Sequence, residues 1–109
     1  MLVLLQRVSN AAVVVEGNTI SEIGRGILVL VGIGRDDTKD DAQWLANKVN
    51  KIKLWQGANG KNWSANVGDV QGGLLIVSNF TLHGYLNGNR PDYHLSMKPA
   101  EAEKLYEDF

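Results

Sequence analysis

Residues 27–33, Ile-Leu-Val-Leu-Val-Gly-Ile, form an apolar run without a single polar side chain. A short run rich in β-branched residues, preceded by Gly24-Arg25-Gly26, predicts a β-strand. A strand with one face in water would alternate apolar and polar residues, and this run does not alternate. The sequence therefore predicts a strand whose side chains are buried on both faces.

Shorter runs of apolar and β-branched residues predict further strands. A tight turn is expected at Gly17-Asn18, after the second of them. In the second half of the chain, the run that begins at Leu74 predicts a central strand, and a loop rich in Gly, Asn and Pro follows over residues 84–98. Besides residues 27–33, the predicted strands are 2–8, 11–16, 19–23, 53–55 and 74–82.

Two amphipathic helices are predicted. Thr38 is a good N-cap with aspartates in the first turn after it, and apolar residues at helical spacing mark residues 39–52 as the first helix. Pro99, favoured at the first helical position, begins the second helix. The apolar stripe of that helix runs to the last residue, Phe109, without a glycine cap. We therefore expect the sequence to stop short of the full fold, with C-terminal strands missing.

Size and charge limit the classes of function. The chain has 109 residues, 44% hydrophobic and 21% charged, which fits a single domain over residues 1–109 with one core. A net charge of −1 argues against a protein that grips long nucleic acid by neutralising many phosphates. A short single-stranded RNA end is still compatible, because stacking and base-edge hydrogen bonds can hold it.

The chain contains no cysteine, which excludes thiolate zinc sites, disulfides and thiol nucleophiles. Its start, Met1–Arg7, lacks the basic leader and the long apolar run of a signal peptide. No stretch is long and apolar enough to be a membrane span. We therefore expect a soluble, cytoplasmic protein without a membrane partner.

The residue types of a hydrolytic triad occur as Ser78, His83 and Asp92. Their spacing gives the triad no support, because Ser78 lies inside an apolar strand and not in a Gly-x-Ser-x-Gly turn. His83, Asp92 and His94 are also candidate ligands of a metal hydrolase, which would lose activity with a chelator. Without a recognised ligand spacing this signal is weak, and polar loop residues in contact with water are the preferred explanation.

Gly32 and Gly34 follow a predicted strand, as the glycines of a dinucleotide-binding loop do, but the third glycine of that motif is missing. The residues after them include Asp36 and Asp37, whose carboxylates would repel a pyrophosphate. The pair therefore does not predict a dinucleotide site.

Polar side chains interrupt the end of the predicted strand 74–82. Ser78, Asn79 and Thr81 place three hydrogen-bonding side chains within four positions. In a strand that simply emerges into solvent, alternation would put Asn79 and Thr81 on one face without any functional meaning. The residues alone leave this interpretation open beside that of a site at the strand end.

Seven stretches in a fixed order carry a resemblance to a known family. They are similar in sequence and order to the D-aminoacyl-tRNA deacylases, also called D-tyrosyl-tRNA deacylases. The resemblance is collinear along the whole chain, which makes it more specific than any single motif. The stretches are Leu2–Ser9, Ile23–Ile33, Asp36–Thr38, Asn59–Lys61, Val77–Leu82, Gly88–Leu95 and Leu105–Phe109.

The resemblance implies a fold and an assembly. The expected fold is mixed α/β and β-rich, with barrel-like packed sheets and helices on one side, in three layers of the order α/β/β. The expected assembly is a homodimer in which each pocket is completed by the other chain. Neither a metal nor another cofactor is implied.

The resemblance also implies an activity, the hydrolysis of the ester that joins a D-amino acid, or glycine, to the terminal adenosine of tRNA. The expected partner is therefore the 3′ end of an aminoacyl-tRNA. The expected catalytic residues are Ser78, Phe80 and Thr81: main-chain amides around Phe80 and Thr81 would meet the developing oxyanion, and the Thr81 hydroxyl is the weaker candidate for a nucleophile. The expected substrate-binding residues are Arg7, Asn79, Arg90, Pro91 and Tyr93.

The sequence departs from the family pattern in two places. Asn79 stands where the family signature Ser-Gln-Phe-Thr has glutamine, so its amide reaches about 1.5 Å less far. The chain has no Gly-Pro dipeptide, which family members carry near the C-terminus and insert into the neighbouring pocket to screen chirality. These departures favour an alternative, a catalytically inactive relative that acts as a nucleic-acid-end binding or protein-interaction module.

Overall fold

Seven β-strands, two α-helices and one 3₁₀ helix make up the computed structural model, which describes all residues from Met1 to Phe109. Neither α-helix, at 13 and 10 residues, reaches the length of a membrane span. The strands are β1 (Leu2–Val8), β2 (Ala11–Val15), β3 (Asn18–Ile23), β4 (Gly26–Gly32), β5 (Gly73–Ser78), β6 (Tyr85–Asn87) and β7 (Arg90–Asp92). The helices are α1 (Lys39–Lys51), the 3₁₀ helix (Phe80–His83) and α2 (Pro99–Asp108).

Strand β4 is the middle strand of a three-stranded sheet with the order β1-β4-β5. Ile27, Val29 and Val31 are the largest fully buried side chains of the protein. The alternate residues Leu28 and Leu30 are half-buried. The prediction of a strand buried on both faces is therefore confirmed for the face of Ile27, Val29 and Val31, whereas the other face is only half-buried.

The chain forms two compact units. The first comprises Met1–Leu4, Leu30–Asn47 and Val77–Phe109, and the second comprises Leu5–Val29 and Lys48–Ile76. The second unit contains the antiparallel hairpin of β2 and β3. Its turn residues, Glu16 and Gly17, both have positive φ, as a tight hairpin turn requires, so the turn lies one residue earlier than predicted.

In the second unit, the predicted strand 53–55 is wrong. Trp55 forms only an isolated bridge with Ala65. The main chains of the two residues exchange hydrogen bonds of 3.1 and 2.9 Å, and both side chains are buried. A single bridge satisfies the local backbone groups but does not extend into a ladder.

In the first unit, helix α1 begins with the predicted cap. The Thr38 hydroxyl accepts a hydrogen bond from the Asp41 N–H at 3.4 Å, and the Asp41 carboxylate accepts from the Thr38 N–H at 2.9 Å. This is the reciprocal arrangement of a capping box. The Thr38 N–H, and after it the Thr38 hydroxyl, lower the pKa of Asp41.

Helix α2 starts at Pro99, as predicted, and its single buried side chain is Leu105. The segment before the helix pairs with residues that follow β4. The Arg35 N–H donates to Leu95 O at 2.9 Å, and the Met97 N–H donates to Ile33 O at 2.9 Å. This pairing fixes residues 95–97 next to the end of β4.

Two predictions for the second half of the chain are wrong in the first unit. The strand expected over 74–82 ends at Ser78, and the chain turns into the 3₁₀ helix instead. The loop expected over 84–98 contains the antiparallel hairpin of β6 and β7. The strand ends early because the Asn79 side chain bonds to a main-chain N–H nearby, which competes with the β-ladder.

Candidate active site

A cavity of about 560 Å³ opens in the first unit, where the ends of β4 and β5 meet the segment before α2. Most of its wall is apolar, and the charged residues on it, Lys98 and Glu103, have opposite signs. A site of this kind suits a small organic group held by a few polar contacts. The lining residues are Val31, Ile33, Ser78, Asn79, Phe80, Tyr93, Ser96, Met97, Lys98, Pro99, Ala102, Glu103 and Tyr106.

Asn79 organises the turn at the cavity wall. Its main-chain N–H donates to Val31 O at 2.8 Å, which continues the pairing of β5 with β4 for one more residue. Its side-chain Oδ1 accepts from the Thr81 N–H at 3.0 Å and from the Thr81 hydroxyl at 2.5 Å. Asn79 is thus the N-cap of the 3₁₀ helix, and the interpretation of Asn79 and Thr81 as one face of a strand is wrong.

The N–H of Phe80 has no acceptor within the chain, although Phe80 lies on the cavity wall. It is the first N–H of the 3₁₀ helix, and such groups are left unpaired by the helix itself. An unpaired amide at a cavity can donate to a negatively charged oxygen of a ligand. The Phe80 N–H is therefore the candidate oxyanion donor of this chain.

The Phe80 side chain is 61% exposed and therefore does not belong to the core. Its ring meets the ring of Tyr93 edge to face, with centroids 5.2 Å apart. A Cβ atom at Gly84 would lie 2.5 Å from the Tyr93 ring, so glycine is required there for the ring to sit against the chain. The main-chain oxygen of Phe80 accepts a hydrogen bond from the Ser96 hydroxyl at 2.8 Å.

His83 lies half-buried against the end of β4, where its Nε2 donates to Gly32 O at 3.1 Å. A Cβ at Gly32 would be 2.6 Å from the Leu82 Cβ, and one at Gly34 would be 3.1 Å from the His83 ring. The two glycines that resemble part of a dinucleotide loop thus allow the 3₁₀ helix to approach the strand.

Asp92 and His94 pair with each other and not with His83. The His94 Nδ1 lies 2.6 Å from Asp92 Oδ1, and the His94 N–H donates to the same oxygen at 2.9 Å. The His94 N–H, and after it the His94 ring, lower the pKa of Asp92. The structure does not assemble the triad, and it contains no group of three or more His, Asp or Glu residues that could hold a metal ion.

Three predicted substrate-binding residues and one predicted catalytic residue do not line the cavity. Arg7 belongs to the second unit, where its Nη1 donates to Leu54 O at 2.6 Å and its guanidinium lies 5.8 Å from the Trp63 ring centroid. The others are Arg90, Pro91 and Thr81. Thr81 nevertheless contacts the lining residue Asn79 directly.

The chain matches the model of one protein family, described as D-Tyr-tRNA(Tyr) deacylase, over residues 4–109. Similar proteins carry the name D-aminoacyl-tRNA deacylase. One from Dictyostelium discoideum is 44% identical over the whole of this chain and 73% of its own length. One from Thermodesulfovibrio yellowstonii is 48% identical over the whole of this chain and 75% of its own length.

The chain belongs to the D-Tyr-tRNA(Tyr) deacylase family. Two solved structures have a similar fold. A protein described as c-Myc DNA Unwinding Element Binding Protein superposes with a TM-score of 0.91 at 43% identity, over 96% of this chain and 70% of that one. A probable eukaryotic D-amino acid tRNA deacylase superposes with a TM-score of 0.81 at 19% identity, over 97% of this chain and 62% of that one, and supports the mixed α/β fold.

The cavity also contains residues that were not predicted from the sequence. Ser96, Met97 and Lys98 lie in the segment expected to be a plain loop, and Ala102 and Tyr106 belong to the apolar stripe expected for α2. The helical spacing of Ala102 and Tyr106 was the available signal, because one stripe can line a cavity as well as a core.

Proposed function

We propose that this chain is a D-aminoacyl-tRNA deacylase, which hydrolyses the ester between a D-amino acid and the terminal adenosine of tRNA. The observation that carries the proposal is the unpaired N–H of Phe80, a residue that lines a cavity of about 560 Å³, in a chain of this family. Such a donor is what acyl transfer needs where the carbonyl oxygen becomes negative.

In the proposed reaction, a water oxygen attacks the ester carbonyl carbon and the carbonyl oxygen becomes an oxyanion. The Phe80 N–H donates to that oxyanion. The oxyanion then returns to a carbonyl as the bond from the carbonyl carbon to the ribose oxygen breaks, and the proton lost by the attacking water passes to the ribose oxygen with the assistance of the neighbouring 2′-hydroxyl. The products are the free D-amino acid and tRNA. Because the ester is already activated, positioning and one oxyanion donor supply what the chain must contribute.

We assign Thr81 a positioning role rather than that of a nucleophile. Its hydroxyl donates to the amide oxygen of Asn79. A neutral amide oxygen accepts a hydrogen bond but cannot remove the proton, so the hydroxyl has no general base beside it. Ser78, which is exposed on the cavity wall, and Tyr93, which packs on Phe80, are assigned to substrate contact.

The test measures release of amino acid from tRNA charged with D-tyrosine or L-tyrosine. We expect turnover of the D-ester in preference to the L-ester. Ala102→Phe fills the cavity from α2 and should abolish turnover, whereas Ala100→Phe, on the same helix but exposed and outside the cavity, should retain it. Absence of turnover with both esters, in wild-type protein of confirmed fold, would refute the proposal.

Four finer features belong to the same proposal. Glycine on a non-cognate tRNA is an expected second substrate, the cytoplasm is the expected location, and the expected architecture has three layers in the order α/β/β.

The fourth feature is a homodimer. It is supported by Leu2 and Leu4 on the edge strand β1, which are 49% and 55% exposed. Leu4→Glu should lower the sedimentation-derived mass, and Gln6→Glu, also exposed on β1, is the matched control.

A second candidate function is the binding of a nucleic-acid end without hydrolysis. The observation that favours it is the 43% identical relative whose name describes binding to a DNA unwinding element. Binding of a single-stranded DNA or RNA end, without release of amino acid from either ester, would support this candidate over the deacylase.

A further inference from the structure

Side chains hold the peptide group between Phe80 and Thr81 at both of its ends. Its oxygen accepts from the Ser96 hydroxyl at 2.8 Å, and its N–H donates to the Asn79 side chain at 3.0 Å. A peptide group bonded in this way cannot rotate without losing a hydrogen bond. Its N–H is therefore committed to Asn79 and is not presented to a ligand.

The preceding peptide group, between Asn79 and Phe80, is held only at its oxygen. That oxygen accepts from the Leu82 N–H at 3.4 Å, and the Phe80 N–H has no acceptor. Two adjacent amides of this turn thus differ, since the Thr81 N–H has an acceptor within the chain and the Phe80 N–H has none.

We propose that Ser96 is a positioning residue for the oxyanion donor. With Asn79, it fixes the Phe80–Thr81 peptide, which joins the donor's peptide at the Phe80 Cα, and so limits how far the Phe80 N–H can turn. The inference rests on the proposed function, and it assigns a role to a cavity residue that was not predicted from the sequence.

Main-chain hydrogen bonds hold the segment that contains Ser96. It bridges Gly34 in antiparallel pairing, and its own N–H donates to Tyr93 O at 2.9 Å. Its neighbours Leu95 and Met97 bond to the main chain that follows β4. These bonds hold the main chain of Ser96 in place. Its hydroxyl can therefore define the position of the carbonyl that it contacts.

The kinetic test compares Ser96→Ala with Ser96→Thr, which keeps the hydroxyl. Loss of one hydrogen bond between neutral groups should lower kcat by roughly three- to tenfold, with KM within about twofold of wild type. Ser96→Thr should restore kcat. Ser64→Ala is the matched control, because Ser64 also donates to a main-chain carbonyl, that of Asn62 at 3.2 Å, and its loss should leave kcat unchanged.

A second readout does not depend on turnover. By NMR, hydrogen exchange of the Thr81 amide should be faster in Ser96→Ala than in wild type, and Ser96→Thr should restore the slower rate. If wild type does not deacylate, the proposed function fails. The exchange difference still tests whether Ser96 holds the Phe80–Thr81 peptide. The inference is overturned if Ser96→Ala keeps wild-type kcat and exchange. It is also overturned if kcat falls only together with the melting temperature and threonine does not restore it.

Discussion

The two ends of strand β4 both depend on a glycine, but the neighbours of the two glycines differ. At Gly26, in the second unit, a Cβ would lie 2.0 Å from the main-chain oxygen of Gly73. At Gly32, in the first unit, a Cβ would meet the Cβ of Leu82 at 2.6 Å and the His83 ring at 3.3 Å. Gly26 allows the main chain of Gly73 to approach β4, and Gly32 allows the 3₁₀ helix to approach it.

This difference separates a structural end from a functional end of the same strand. Backbone against backbone adds packing but no side-chain chemistry. At the other end, close approach brings in the 3₁₀ helix, with the free amide of Phe80 at its start. Variants at the functional end should therefore change activity per folded molecule, and variants at the structural end should change the folded fraction.

The largest effect is expected when the Phe80 N–H is removed. Phe80→Ala removes the ring and keeps the N–H, whereas Phe80→Pro removes both. Proline suits the first helical position, and Asn79 before it is extended, with φ −148° and ψ 102°, as a residue before proline must be. Relative to Phe80→Ala, we expect Phe80→Pro to lose a further ~10²- to 10³-fold in kcat. Equal kcat for the two variants would show that this amide is not the oxyanion donor.

The structural end should give the largest loss of stability. Gly26→Ala forces a Cβ into the main chain of Gly73, and we expect it to lower the free energy of unfolding by about 3 kcal/mol, measured by urea denaturation. Gly24→Ala is the matched control, because a Cβ there meets nothing within 4 Å, and its effect should stay within about 0.5 kcal/mol. A comparable loss in both variants would contradict the role of the close approach.

At the functional end, Gly32→Ala should displace the 3₁₀ helix. The expected loss of stability is about 1–3 kcal/mol, because the helix can shift more easily than paired strands can. The kcat per folded molecule should fall by about tenfold or more, since a displaced donor no longer meets the oxyanion. If Gly32→Ala lowers stability but leaves kcat intact, the distinction between the two ends of β4 does not hold.

The sequence predicted the two ends unequally, for a physical reason. Burial of β4 and the cap at Thr38 depend on local pattern, which a single sequence shows directly. The early end of β5 depends on whether the Asn79 side chain bonds to the main chain or points away, and pattern does not decide between these. Ser96 contacts a carbonyl 16 residues away in the sequence, so no local motif marks it. The family motif located the turn, but not which of its amides is free.

The smallest effect is expected at the start of α1, in the segment that follows the functional end. Hydrogen bonds from Thr38 hold the pKa of Asp41 below its ordinary value of 3.8. A carboxyl with a lowered folded-state pKa stabilises the fold above the unfolded pKa, and this contribution is lost as the pH falls through the folded pKa. Asp41→Asn should therefore lower the urea midpoint slightly at pH 7, by less than Gly32→Ala does, and the difference from wild type should shrink as the pH falls below about 4.

The control for this cap is Asp36→Asn, which removes the same charge from an exposed aspartate outside the capping box. Its urea midpoint should match that of wild type at both pH values. Because the cap lies outside the cavity, Asp41→Asn should also leave kcat unchanged. A fall in kcat would mean that the start of α1 is coupled to the 3₁₀ helix. The residues that affect activity would then include the cap of α1 as well as the turn at Asn79.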